Sequence, residues 1–245
     1  MNILSIDTST SICSVALGID GKAVFTLTSD DGANHASVLP VYAKEILHKL
    51  DENKLTLDAV AVSAGPGSYT GLRIGVSLAK GYCYGSGAKL IAIDTPLIVA
   101  NSILAQISQQ QEHTRSDERD KDVLICPMID ARRMEVYTSL YDCRLNQQTP
   151  VEAAVINSES YKSELAAHKI YFGGNGAMKC KGVIQSDNAI FVEASPNAQY
   201  MCQLAERYYS LAKGGERSFE DIAYYTPFYL KEYEAKHSEV KGLKK

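Results

Sequence analysis

One short segment of the sequence carries residue types that could hold a phosphate group. Asp7-Thr8-Ser9-Thr10 follows an apolar run. Consecutive hydroxyls and backbone N–H groups in a tight turn can cradle phosphate, and a carboxylate can hold Mg²⁺ through water. The same four residues can instead satisfy the backbone of a tight hairpin. Both interpretations stay open on the residues alone, and the hairpin is the one we favour.

A second segment, residues 63–75, runs from a predicted strand through a glycine-rich turn into a predicted helix. This context favours anion binding at a helix N-terminus. However, the lysine of GxxxxGK[ST] is absent, and the spacing of Gly65, Gly67 and Gly71 is not GxGxxG. Small residues instead recur every four positions, a spacing that lets another helix approach closely: Gly71, Gly75 and Ala79. We therefore interpret this segment as a packing motif.

The sequence offers no assembled metal or nucleophile site. The histidines stand at positions 35, 48, 113, 168 and 237, and no two are three to five residues apart, so a two-histidine helical metal site cannot form locally. HExxH and GxSxG are both missing. A metallopeptidase would need zinc ligands that these patterns do not supply. The six cysteines include no close pair, which suits reduced thiols in the cytoplasm.

An aromatic cluster near the end of the chain forms a further candidate surface. Residues 224–231 contain three tyrosines and one phenylalanine around Pro227. If exposed, they would make a large apolar patch. We expect the segment to dock on the body of the protein, and the alternative is that it binds a partner.

Composition limits the possible partners. The chain has 245 residues, is 45% hydrophobic and carries a formal net charge of -4. This charge provides no overall basic field to attract nucleic acid or an anionic membrane. The apolar run at the N-terminus ends at Asp7, so it does not predict a signal peptide, and no run reaches the roughly 20 apolar residues of a membrane span.

These residues must be positioned by an α/β framework. The patterning predicts three strands, of which the last two join at the hairpin signal Asp20-Gly21. A helix, a strand, a helix, a strand and a helix follow. In the first of these helices, from residue 38 onward, Pro40 fits only within the first turn. A similar order begins again at Val123–Asp130, which suggests a duplicated unit. The expected boundaries are a first lobe at 1–108, a polar linker at 109–122, a second lobe at 123–218 and a tail packing on the body at 219–245.

Four segments together resemble the TsaB (YeaZ) family. They are Ile3 to Leu17, the glycine motif Gly65 to Gly75 with Arg73, Ile129 to Tyr137, and Pro227 to Lys231. The resemblance spans essentially the whole chain in the right order, and the glycine motif is its most specific part. Lys231 departs from the arginine that the family often has, which weakens any bidentate role there.

The resemblance implies the two-lobed actin/Hsp70/sugar-kinase-like fold. It also implies a non-catalytic scaffold that pairs with a TsaD-like paralogue to form threonylcarbamoyladenosine at position 37 of tRNAs. A TsaE-like ATPase would join them. The resemblance places ATP or ADP and metal on those partners, with no cofactor in this chain and tRNA contact indirect or unknown.

The partner surface carried over from the family lies on two helices of the first lobe. We expect the contact residues to be Leu39, Tyr42, Ile46, Leu72, Gly75, Val76 and Ala79. Without the partner, the same face would form a homodimer. The alternative function is a stand-alone ATP-dependent kinase or acyltransferase of the same fold that uses Asp7.

Overall fold

The structure, a computed structural model, describes residues 1–30, 34–110 and 122–231, apart from the side chains of residues 109 and 110. Five strands form the first sheet, in the order β3-β2-β1-β4-β5: β1 (Asn2–Asp7), β2 (Cys13–Ile19), β3 (Lys22–Ser29), β4 (Ala59–Ser63) and β5 (Lys89–Ile93). The first three are antiparallel, and β4 and β5 add in parallel. Asp20 and Gly21, with φ of 48° and 75°, make the predicted hairpin turn.

The second sheet repeats this topology, in the order β10-β9-β6-β7-β8. Its strands are β6 (Val123–Asp130), β7 (Glu135–Thr138), β8 (Glu152–Val155), β9 (Lys169–Gly173) and β10 (Ala189–Phe191). Again three strands form an antiparallel meander and two add in parallel on the side of the first strand. Each half therefore builds the same five-stranded unit, which confirms the two-lobed α/β fold expected from the sequence.

Six α-helices and one 3₁₀ helix are present in the described residues: α1 (His35–Glu52), α2 (Tyr69–Ser86), α3 (Thr95–Gln110), α4 (Lys162–Ala167), α5 (Ala177–Cys180), the 3₁₀ helix Ala198–Met201 and α6 (Cys202–Lys213). The expectation that Pro40 lies in the first turn of α1 is wrong. The helix begins at His35, so Pro40 is inside it. The apolar residues at helical spacing start only at Val38, so this spacing does not predict the helical turn that precedes it. The four-residue α5 was not predicted because it is shorter than two helical turns.

Each of two helices packs on the sheet that is built by the other half of the chain. A Cβ placed on Gly18 of β2 would lie 3.1 Å from Cys202 of α6, so α6 packs on the first sheet. A Cβ on Gly173 of β9 would lie 2.7 Å from Ile103, so α3 packs on the second sheet. One buried cluster joins residues of both sheets with α3 and α6. The lobe boundaries predicted at residues 108 and 123 stay a prediction, and the linker lies almost wholly outside the described residues.

In the portions of the chain that the structure describes, none of the helices has the length and apolar character needed to cross a bilayer.

Candidate functional site

The Asp7–Thr10 turn is buried and its hydroxyls are occupied by the chain itself. The exposed fractions of these four residues lie between 0 and 6%. Ser9 Oγ donates to Asp7 Oδ1 at 2.7 Å, and Thr8 Oγ1 donates to the Gly71 carbonyl at 2.8 Å. Thr10 Oγ1 accepts from the Ile12 N–H at 3.3 Å. These contacts are those of a satisfied turn rather than an open phosphate cradle.

Asp7 itself is fully buried, and burial raises the pKa of its carboxyl despite hydrogen bonds from Ser9 and Ser63 that favour the charged form. Among the residues that the structure describes, none forms a hydrogen bond with its Oδ2 atom. His35 lies at the start of α1, with Nε2 3.3 Å from the Ile12 carbonyl, and its charge opposes the rise. Burial in this setting therefore weakens the preference of the carboxyl for its charged form.

The glycine motif is shaped by close approach between segments of this chain. A Cβ on Gly67 would lie 2.3 Å from the Ser9 carbonyl oxygen, and one on Gly71 would lie 2.1 Å from that of Thr8. Gly65 has φ of 109°, and a Cβ there would lie 2.4 Å from the Phe228 oxygen. The motif therefore holds the start of α2 against the Asp7–Thr10 turn and the C-terminal segment. Arg73 is outside this packing and donates from Nη1 to Tyr69 Oη at 2.9 Å.

Most of the residues expected at a partner surface lie inside this chain. Leu39, Ile46, Leu72 and Ala79 are 0–1% exposed and Val76 is 5% exposed. Gly75 is also buried, where a Cβ would meet Thr8 Oγ1 at 2.4 Å. Only Tyr42, which is half-buried, reaches solvent. Apart from Tyr42 and from Leu39, which also lines the groove on the outer side of these helices, these residues pack α1 and α2 onto the first sheet, so this structure does not present them as direct contacts.

The outer face of the same two helices is exposed. We call this face the helix groove. It is a shallow, largely apolar depression of about 600 Å³, lined on α1 by Ala36, Leu39 and Pro40 and on α2 by Tyr69, Thr70, Arg73, Ile74, Ser77 and Leu78. Elsewhere on α1, Val41 is 60% exposed. The partner surface expected from the sequence lay on these two helices, but of the groove residues it included only Leu39.

A second stripe of small residues runs along α2 on its exposed side: Ser77, Gly81 and Gly85. A Cβ added at Gly81 or Gly85 would meet nothing within 4 Å, so the packing of this chain does not require glycine there. The stripe has the same four-residue spacing as the buried one, and residues two apart point to roughly opposite sides of a helix. Spacing alone could therefore have revealed both stripes, but not which one faces solvent.

A cleft of about 860 Å³ separates the two lobes, and it is lined by residues of all four segments singled out in the sequence. Ser9 and Thr10 line one wall with Gly67 and Tyr69, and Asp130 and Arg132 line the other. The C-terminal segment closes one side with Tyr229 and Lys231. This segment docks on the body, as expected, although Tyr224 stays 85% exposed and Phe228 46% exposed.

The histidines and cysteines, which were the remaining candidate ligands and nucleophiles, do not form a cluster in the described residues. His48 is exposed on α1 and His168 follows α4, whereas His113 and His237 lie outside the described residues. Five cysteines are buried, and Cys143 is half-buried. Across residues 1–30, 34–110 and 122–231, no group of three or more His, Cys, Asp or Glu side chains could hold a metal ion.

The chain matches the family model described as "TsaD: tRNA N6-adenosine threonylcarbamoyltransferase" over residues 30–238. Among curated proteins, it is 33% identical over 141 residues to the Bacillus subtilis "tRNA threonylcarbamoyladenosine biosynthesis protein TsaB", covering 58% of this chain and 55% of that protein. The Escherichia coli protein of the same description is 34% identical over 143 residues, covering 58% and 55%. The chain thus spans about half the length of the curated relatives that it matches.

Solved structures show the same fold over nearly the whole chain. YeaZ from Pseudomonas aeruginosa superposes with a TM-score of 0.71 at 23% identity, covering 94% of this chain and 99% of that one. A second Pseudomonas aeruginosa structure, of a protein "with similarity to peptidase YEAZ", has a TM-score of 0.68 at 25% identity with the same coverage. With a family match over most of its length, this chain belongs to the family that the model describes, and the curated relatives that it matches are TsaB proteins.

Proposed function

We propose that this protein is a non-catalytic subunit in the formation of threonylcarbamoyladenosine on tRNA, and that it acts by pairing with a TsaD-like catalytic paralogue. The curated relatives named above are described as proteins of this biosynthesis. A "tRNA N6-adenosine threonylcarbamoyltransferase" of Desulfovibrio desulfuricans is 28% identical over 109 residues, which cover 38% of this chain. Because this chain is related in sequence to such an enzyme, we propose that the two proteins pair through corresponding helices.

The observation that carries the proposal is the helix groove. Its apolar floor is open to solvent, and the stripe Ser77, Gly81 and Gly85 beside it would let the backbone of a partner helix approach closely. Glycine inside an exposed helix costs about 1 kcal/mol relative to alanine, so two of them in open space suit a surface that another helix covers. A stable interface of ordinary size buries about 1,600 Å² in total.

Two further parts of the proposal concern assembly. A TsaE-like ATPase joins the pair, which brings ATP to the complex. In the absence of the paralogue, the helix groove pairs with a second copy of this chain, because a self-complementary helix face forms a twofold dimer. Contact with tRNA comes through the partner, since the chain carries a formal charge of -4.

The test is a reconstituted tRNA modification assay. This chain, its TsaD-like partner and the pair with a TsaE-like ATPase are compared, and we expect modification only when both subunits are present. Ser77→Arg, on the exposed side of α2, should abolish binding of the partner and leave the melting temperature unchanged. Ser163→Arg on α4 is the matched control, because Ser163 is also an exposed helical serine. Modification by this chain alone, or full activity of Ser77→Arg, would contradict the proposal.

The alternative is a stand-alone ATP-dependent kinase or acyltransferase acting in the cleft. The observation in its favour is the volume of that cleft, about 860 Å³, which is large enough for a nucleotide. Turnover of ATP by the chain alone, lost in Asp7→Asn, would support it. The occupied hydroxyls of Thr8 and Ser9 argue against it.

A further inference from the structure

The C-terminal segment 217–231, which we call the strap, is hydrogen-bonded to the first lobe at three points. Arg217 Nη2 donates to the Ala92 carbonyl at 3.2 Å, and the Glu220 N–H donates to the Leu90 carbonyl at 3.0 Å. Further along, the Phe228 N–H donates to the Ala64 carbonyl at 2.7 Å. The strap therefore follows the first lobe from β5 to the glycine motif.

The end of the strap crosses the cleft to the second lobe. Lys231 Nζ donates to both carboxylate oxygens of Glu135, at 2.6 and 2.5 Å. Glu135 is the first residue of β7, and its backbone carbonyl accepts from Lys179 Nζ at 2.7 Å. Lys179 also pairs with Asp130 at the end of β6. The anchor for Lys231 is thus held in place within the second sheet.

Between these two anchors, the strap contacts the helix groove. The ring of Tyr229 lies on that of Tyr69, with centroids 4.8 Å apart and an interplanar angle of 40°. Tyr69 is the first residue of α2 and accepts from Arg73. Tyr69 lines the helix groove and also lines the cleft, where Tyr229 and Lys231 are its neighbours. One side chain therefore forms part of both surfaces.

The tether between the groove and the second lobe is short. Lys231 is two residues after Tyr229, and two extended residues span at most about 7 Å. Once a separation of the lobes takes up the slack in these residues and in the Lys231 side chain, it must break the Lys231–Glu135 ion pair or pull Tyr229 away from Tyr69. If Tyr229 moves away, Tyr69 in the wall of the helix groove no longer packs against it. The geometry makes the separation of the lobes and the shape of the groove depend on each other.

We propose that the strap links the two lobes to the helix groove, so that opening of the cleft loosens the start of α2 and weakens partner binding there. The effect on the partner rests on the function proposed above, whereas the link itself does not. An exposed ion pair contributes little on its own, so the link is a modest adjustment of partner affinity. The affinity of a partner falls in proportion to the population of the competent groove.

The link is tested by hydrogen exchange on the free, full-length chain. Lys231→Met and Glu135→Gln each remove one member of the ion pair, and Lys162→Met is the control, because Lys162 forms an exposed ion pair with Glu159 elsewhere in the second lobe. We expect exchange in peptides covering residues 66–78 to accelerate about twofold to fivefold in the first two variants and not in the control. The double variant should show no further increase. Unchanged exchange in both single variants would overturn the link.

A measurement of partner affinity then distinguishes a failure of the link from a failure of the proposed function. With a TsaD-like partner that binds the wild-type chain, Lys231→Met should raise Kd by about twofold to fivefold, and the charge reversal Glu135→Lys with Lys231→Glu should recover part of that loss. An unchanged Kd in Lys231→Met would overturn the transmission to the partner. Faster exchange in a chain that binds no such partner would leave the link standing and refute the proposed function.

Discussion

Thr8 and Gly71 are in direct contact: Thr8 Oγ1 donates a hydrogen bond to the Gly71 carbonyl at 2.8 Å, and a Cβ on Gly71 would lie 2.1 Å from the Thr8 carbonyl oxygen. This contact joins the two segments that the sequence offers as candidate phosphate sites. At Thr8 and Gly71, the two segments pack directly against each other, so this pair of residues is an element of packing. The position of α2 against β1 follows from it.

Gly71→Ala should therefore destabilise the protein by about 1–3 kcal/mol, the usual cost of overpacking. Gly81→Ala is the matched control on the same helix, because nothing lies within 4 Å of a Cβ there. It should stabilise the free chain by up to about 1 kcal/mol through helix propensity. Urea denaturation of both variants measures the difference. Equal stability of the two variants would contradict this account of the glycine motif.

Val76→Asp is expected to unfold the chain, although the sequence alone suggests that it would only break a partner contact. Val76 is 5% exposed and packs in the core of the first lobe, so an unpaired carboxylate there has no compensating partner. Ser77→Arg, one residue later, should keep its native circular dichroism and melting temperature. Folded Val76→Asp that merely fails to bind the partner would mean that α2 presents the opposite face.

The burial of Asp7 should make stability depend on pH. Burial raises the pKa of its carboxyl in the folded state, so the folded chain binds more protons than the unfolded chain above about pH 3.9. Its contribution to stability is consequently lost as pH rises towards the folded pKa. Asp7→Asn keeps an oxygen for Ser9 and cannot ionise, so its stability relative to wild type should increase with pH.

Urea denaturation at several pH values between 4 and 8 measures this difference. Asp187→Asn, at an exposed position, provides the control and should follow the wild-type curve. Parallel curves for Asp7→Asn and wild type would show that Asp7 has no raised pKa in the folded state. Asp94 and Glu220, whose pKa values burial also raises, contribute equally to both curves and cancel from the comparison.

The thiols should differ sharply in reactivity. Burial raises the pKa of Cys13 and Cys83 to about 11 and that of Cys126 to about 12, and only the thiolate is the nucleophile. Cys143, which is half-buried, should be the thiol that reacts first with a disulfide reagent at pH 8 in the native chain. Cys143→Ser should remove that fast phase. A fast phase that persists in Cys143→Ser would place another cysteine at the surface.

Local patterns in the sequence were sufficient for the strands and most helices. Alternation and the Asp20-Gly21 turn predicted β2 and the hairpin, and the helix predicted after the fifth strand is α3, which begins at Thr95-Pro96. The duplicated topology followed from the repeated order of elements. Family membership followed from four motifs in the right order, and the family match supports it.

Tertiary structure alone decided which face of each helix is a surface. Gly75 and Val76 point into the first lobe, whereas Ser77 points outward, and the two small-residue stripes have the same period. The helical period shows that two faces of α2 differ. It does not show whether a face of small residues packs on a sheet of the same chain or on another molecule. That choice depends on the distant Thr8 and on the strap, whose contacts with α2 arise from residues far apart in the sequence. The same reason explains why the lobe-crossing positions of α3 and α6 could not be read from their local pattern.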